Sequence, residues 1–114
     1  MNFKKYSDFL SVDIYVKIIN INNIDIEIVN TIIEDDEDIN IEKINIDNIN
    51  RLIEILYKIS LHTDLYEVDI IFNTNNINIE DIEKIRNKIN QSLKNRLLNE
   101  INFYLNINNL KNKI

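Results

Sequence analysis

The chain has 114 residues, enough for one hydrophobic core and too few for two independent ones, so a single domain over 1–114 is expected. Its 45 % apolar and 28 % charged content is that of a globular domain, and its lack of cysteine excludes disulfides, thiol catalysis and thiolate metal sites. The net charge of −6 sets the protein against phosphate-rich partners at long range.

The opening MNFKKYSDFL lacks the apolar stretch and cleavage site of a secretory leader. No apolar run approaches the thickness of a bilayer, so a cytoplasmic protein is expected. Phe3, Tyr6 and Leu10 have the spacing of a short helical turn packed on the core. From Ser11 to Ile33 the pattern is a β-hairpin. Val12, Ile14, Val16 and Ile18 alternate with polar residues, as do Ile24, Ile26 and Ile28, with Asn22 and Asn23 as the turn. Both strands change apolar phase, at Ile18–Ile19 and Ile28–Val29, which predicts a bulge or strong twist at one level of the ladder.

The run Glu34-Asp35-Asp36-Glu37-Asp38 follows, and its expected state is a solvated acidic loop. A calcium loop needs glycine at its sharp bend, and the chain contains none. Two similar stretches then open helices: Ile44-Asn45-Ile46-Asp47-Asn48-Ile49 and Ile77-Asn78-Ile79-Glu80-Asp81-Ile82. Asn45 and Asn78 are the expected N-caps, and Ile44 with Ile49, and Ile77 with Ile82, have the spacing of a hydrophobic staple. The first helix runs to about Leu61 and buries Ile49, Leu52, Ile53, Leu56 and Ile59; the second buries Ile82, Ile85, Ile89, Leu93 and Leu97. Between them Tyr66, Val68, Ile70 and Phe72 mark a strand. Ile101, Phe103, Leu105 and Ile107 mark a last strand, with a continued helix as the alternative.

The expected fold class is therefore α+β. It is a two-layer sandwich in the order β-β-α-β-α-β, with a mixed sheet of about four strands and both helices on one face. The other face would carry Asp13, Tyr15, Asp25, Glu27, Glu67, Asp69 and Tyr104, an acidic surface with two aromatic rings.

Catalytic signals are weak. His62 is the one histidine, and its place at the end of the first helix suits a structural role at the negative end of the helix dipole. No nucleophile elbow accompanies it, and loops that cradle phosphate need glycine. No metal and no cofactor is expected. The abundance of Ile and Asn, with Gly, Pro and Ala absent, fits an AT-biased genome such as that of a phage, plasmid, large DNA virus or obligate parasite.

The leading expectation is a non-enzymatic binding protein that inhibits or neutralises a basic protein partner, in the manner of an immunity protein, an antitoxin or a viral inhibitor. The alternative is a structural subunit that assembles with itself or another chain, through a sheet edge or the apolar flank widened by Ile55 and Ile59. An enzyme using His62 and nucleic-acid binding through Lys84, Arg86, Lys88, Lys94 and Arg96 are weaker readings, the latter opposed by the overall charge.

Overall fold

The computed structural model describes residues 2–30, 40–97 and 99–114. A 3-10 helix, Phe3–Asp8, leads into β1 (Ser11–Asn20), β2 (Asn23–Asn30), β3 (Ile41–Ile46), α1 (Ile49–Ser60), β4 (Asp64–Asn73), α2 (Ile79–Ser92), β5 (Asn102–Ile107) and β6 (Leu110–Lys113). The strands form one mixed sheet in the order β3-β2-β1-β4-β5-β6. β4 runs parallel to both β1 and β5, and the other neighbours are antiparallel.

One face of this sheet carries the core. Ile14, Val16 and Ile18 of β1, Ile24, Ile26 and Ile28 of β2, and Val68, Ile70 and Phe72 of β4 are buried, each separated from the next by a residue of the opposite face. Leu52, Ile55, Leu56 and Ile59 of α1 and Ile82, Ile85 and Ile89 of α2 join the same apolar cluster. Both helices therefore cover a single face, which keeps period-two strands half polar. The stack of Phe72 on Phe103, 6.2 Å between ring centroids, ties β4 to β5 within that core.

The α+β class and mixed sheet agree with expectation, but the sheet has six strands, not about four. Ile41–Ile46 is an edge strand and not a helix start. Asn45 lies inside it, and α1 is capped instead by Asn48, whose side chain accepts from the Arg51 amide at 2.7 Å. Ile44 is thus a strand residue and no staple partner. Asn78 caps α2 as expected, accepting from the Asp81 amide at 2.8 Å, and both Ile77 and Ile82 are buried. The second unexpected strand, β6, pairs with β5 after a tight turn in which Asn108 and Asn109 both take positive φ. That is the turn conformation glycine usually supplies, here adopted by the residue best able to replace it.

Smaller expectations also change. The β1–β2 turn is Ile21–Asn22, because Asn20 pairs with Asn23, and the ladder slips between Ile18 and Asn20 but not at Ile28–Val29. The 3-10 helix buries Phe3 and Tyr6 and leaves Leu10 exposed. Ile55 and Ile59 are fully buried by the protein's own fold, which removes them as an assembly flank. The acidic run 34–38 and the predicted end of the hairpin at Ile33 lie outside the described residues.

Candidate functional site

The helix-free face owes its composition to one irregularity. Val12 of β1 lies opposite Leu65 of β4, yet the next residue, Asp13, lies opposite Glu67. Tyr66 is the extra residue of a β-bulge. It is about half exposed where the sequence alternation predicts core, and its carbonyl accepts from the Asn99 side chain at 2.9 Å. The bulge resets the phase of β4, so that Val68, Ile70 and Phe72 point to the core while Glu67 and Asp69 face outward beside Asp13 and Tyr15.

All seven predicted residues share this face. Asp13, Tyr15, Glu67 and Asp69 lie together on β1 and β4. Asp25 and Glu27 lie on β2 opposite Lys17 and Tyr15, and Tyr104 lies on β5 opposite Ile71. Sequence reasoning missed the lysines among them. Glu27 faces Lys43 of β3, Asp25 faces Lys17, and Lys111 of β6 sits over the Tyr104 ring at 4.0 Å. Tyr15, Lys17, Asp25, Glu27, Lys43, Asn45 and Ile71 line a shallow depression across this half of the face. Strand parity would have found Lys17, which shares the phase of Asp13 and Tyr15; Lys43 and Lys111 lie on the two strands that the sequence pattern did not reveal.

Charge is thus locally balanced on the β2–β3 side and unbalanced at Asp13, Glu67 and Asp69. Asp69 is only 5 % exposed; its Oδ1 accepts from the Asn102 side chain at 2.9 Å, and the Lys111 ammonium lies 4.0 Å from Oδ2. Asp13 Oδ1 is buried with no donor among the described residues, and the nearby Glu67 backbone amide favours the ionised form of its carboxyl. Burial, followed by the Asp69 charge, pushes the Asp13 carboxyl up against the opposing effect of that amide. Burial also raises Glu67, reinforced by the charge of Asp69, a hydrogen bond with its carboxyl, and the charge of Asp13; Lys111 opposes weakly. Burial and the surrounding acids hold the Tyr15 and Tyr104 hydroxyls above their ordinary range as well.

Away from this face, His62 is exposed in the turn after α1, its backbone amide bonded to the Ile59 carbonyl. Among the described residues no group of three or more His, Cys, Asp or Glu is arranged to hold a metal ion, and no helix is long and apolar enough to cross a membrane. The overall acidity has a narrow source. Setting aside the five acids of the 34–38 run leaves 14 acidic against 13 basic residues, so the rest of the chain is close to neutral. No family model matches the chain, and neither the curated proteins nor the solved structures contain a match to it.

Proposed function

We propose that the protein is a non-enzymatic binding protein that neutralises a basic protein partner through the helix-free face of its sheet. The supporting observation is the carboxylate group Asp13, Glu67 and Asp69, placed side by side by the β4 bulge and matched, among the described residues, by one lysine at 4.0 Å. A partner's arginine or lysine seated there would relieve like-charge opposition, with Tyr15 and Tyr104 offering ring faces beside it. The acidic run at 34–38 adds long-range attraction for the same class of partner.

Affinity purification of the tagged protein from its host, at low and high salt, tests this reading. A stoichiometric basic protein released by salt is the expected result. Its capture should fail after Asp25→Lys, Glu27→Lys and Glu67→Lys, with buried Asp69 changed only to Asn. Unchanged capture by that variant would sink the proposal.

Assembly through a sheet edge is the second reading. It draws on β3 being an outer strand with Ile41 half exposed. Light scattering that finds a monomer at high concentration removes self-assembly.

A further inference from the structure

We propose that the cleft between the end of α2 and the β5–β6 edge of the sheet is a binding site for a small phosphate monoester. None of Asp13, Glu67 and Asp69 lines it, so it is independent of the reading of the helix-free face.

Charge along the chain gives the first reason. Residues 84–114 hold seven basic residues and one acidic residue, a net +6, in a protein whose total is −6. Three elements bring part of this charge to one place. Arg86 stands on α2, Lys94 follows its last turn and Lys113 is on β6, and all three line a single cleft of about 870 Å³. That volume lies within the ~300–1,000 Å³ typical of small-molecule sites. Among the described residues that line it, the one acid is Glu100.

The fold does not use these cations up. Among the described residues Lys94 and Lys113 make no ion pair, and both are exposed. Arg86 is held in place instead. Its guanidinium carbon lies 5.3 Å from the centre of the buried Phe103 ring, and its Nη1 donates to Glu83 at 2.8 Å. Its Nε is buried with no acceptor among the described residues. A guanidinium fixed over a ring holds its other N–H groups in a set plane, which suits the paired oxygens of an oxyanion. Asn90 lies one turn along the same flank of α2, and Asn95 lines the cleft from the turn beyond, at φ 68°. Their amides add neutral donors.

The ligand class follows from the balance of charge. A carboxylate brings one negative charge, whereas a phosphate monoester brings about −1.5 to −2 near neutrality and matches three cations against one acid better. Phosphate cradles are usually made by glycine-rich backbone, which this chain lacks, so side chains have to supply the donors. Size follows from the rest of the molecule. A small ligand meets the local positive field, but a long polyanion would also meet residues 1–83, whose net charge is −12 (six basic against 18 acidic).

Amide NMR of the labelled full chain, titrated with glycerol phosphate at constant ionic strength and with glycerol as the uncharged control, tests the site. Saturable shifts at Arg86, Asn90, Lys94 and Lys113, absent with glycerol, are expected. Lys94→Gln with Lys113→Gln should weaken binding several-fold, and so should Arg86→Lys, which keeps the charge and loses the fork. Lys84→Gln, on the same helix but outside the cleft, should leave it unchanged. Shifts that never saturate, or that weaken as much in Lys84→Gln as in the cleft variants, would show diffuse attraction only and overturn the proposal. A single-stranded oligonucleotide without terminal phosphates that binds where glycerol phosphate does not would also overturn it, and would assign the basic surface to a nucleic-acid backbone.

Discussion

Tyr6 fastens the amino-terminal turn to the far edge of the sheet. Its hydroxyl donates to the Glu42 carboxylate on β3 at 2.6 Å, and the Lys5 ammonium reaches the same carboxylate oxygen at 2.6 Å. Burial, then the hydrogen bond to Glu42, pushes the Tyr6 hydroxyl far above its ordinary range. Tyr6→Phe keeps the buried ring and deletes a bond to a charged acceptor, so it should cost about 1 to 2 kcal/mol in urea unfolding. Burial works to raise Glu42, but Lys5 and Tyr6 outweigh it and hold that carboxyl below the usual range. Its stabilising effect is therefore present above the unfolded-state pKa and lost as pH falls through the folded one. Asp13 and Glu67 have the opposite sign. Raised in the folded state, they favour folding below the unfolded-state value, and that contribution disappears as pH rises through the folded values. Urea midpoints at about pH 5 and about pH 7.5 should show the Asp13→Asn, Glu67→Gln double variant gaining more at the higher pH. An equal gain at both would contradict the sign.

Elements were legible where apolar periodicity was strong. α2, with Ile82, Ile85 and Ile89 on one stripe and Asn78 as its cap, was readable from sequence, as were the core phases of β1 and β2. Asn78→Ala removes the acceptor for the Asp81 amide and should lower stability by about 1 kcal/mol, measured by thermal melting alongside the conservative Asn78→Ser. The misses have physical causes. In Ile41–Ile46 the alternation of Ile44 and Ile46 about an asparagine is also the pattern of a capped helix entry, and only pairing with β2 decides between them. β6 is four residues long and wholly exposed, so it has no buried periodicity to detect. Its existence follows from the Asn108–Asn109 turn, which a chain without glycine does not advertise. All seven candidate face residues were legible by parity. Their setting was not, because Lys43 and Lys111 belong to the two strands that went unseen.

At the scale of the whole molecule, attraction and seating are separable. The 34–38 run holds nearly all the excess negative charge, whereas Asp13, Glu67 and Asp69 sit within a fold that is otherwise close to neutral. Long-range charge acts mainly on association rates and is screened by salt; close, desolvated charge acts mainly on dissociation. Replacing the five acids of the run by their amides should therefore slow capture of a basic partner and flatten its salt dependence, with little change in dissociation rate. Glu67→Gln with Asp69→Asn should do the reverse. Surface-based kinetics at two salt concentrations distinguish them, and identical kinetic signatures for the two variants would show that the division is wrong.

The Tyr66 bulge also fixes where β4 tolerates a change of length. Removing any regular strand residue turns every side chain beyond it to the opposite face. Removing Tyr66 does not, because Leu65 already faces Val12 and Glu67 already faces Asp13, so the shortened strand closes into a regular ladder with each face intact. What would be lost is the Asn99 anchor on the Tyr66 carbonyl and the extra turn of backbone that now presents the Glu67 amide to Asp13. Variation in length among related chains is thus expected to fall at this position in β4, trading the local chemistry of the face while sparing the core.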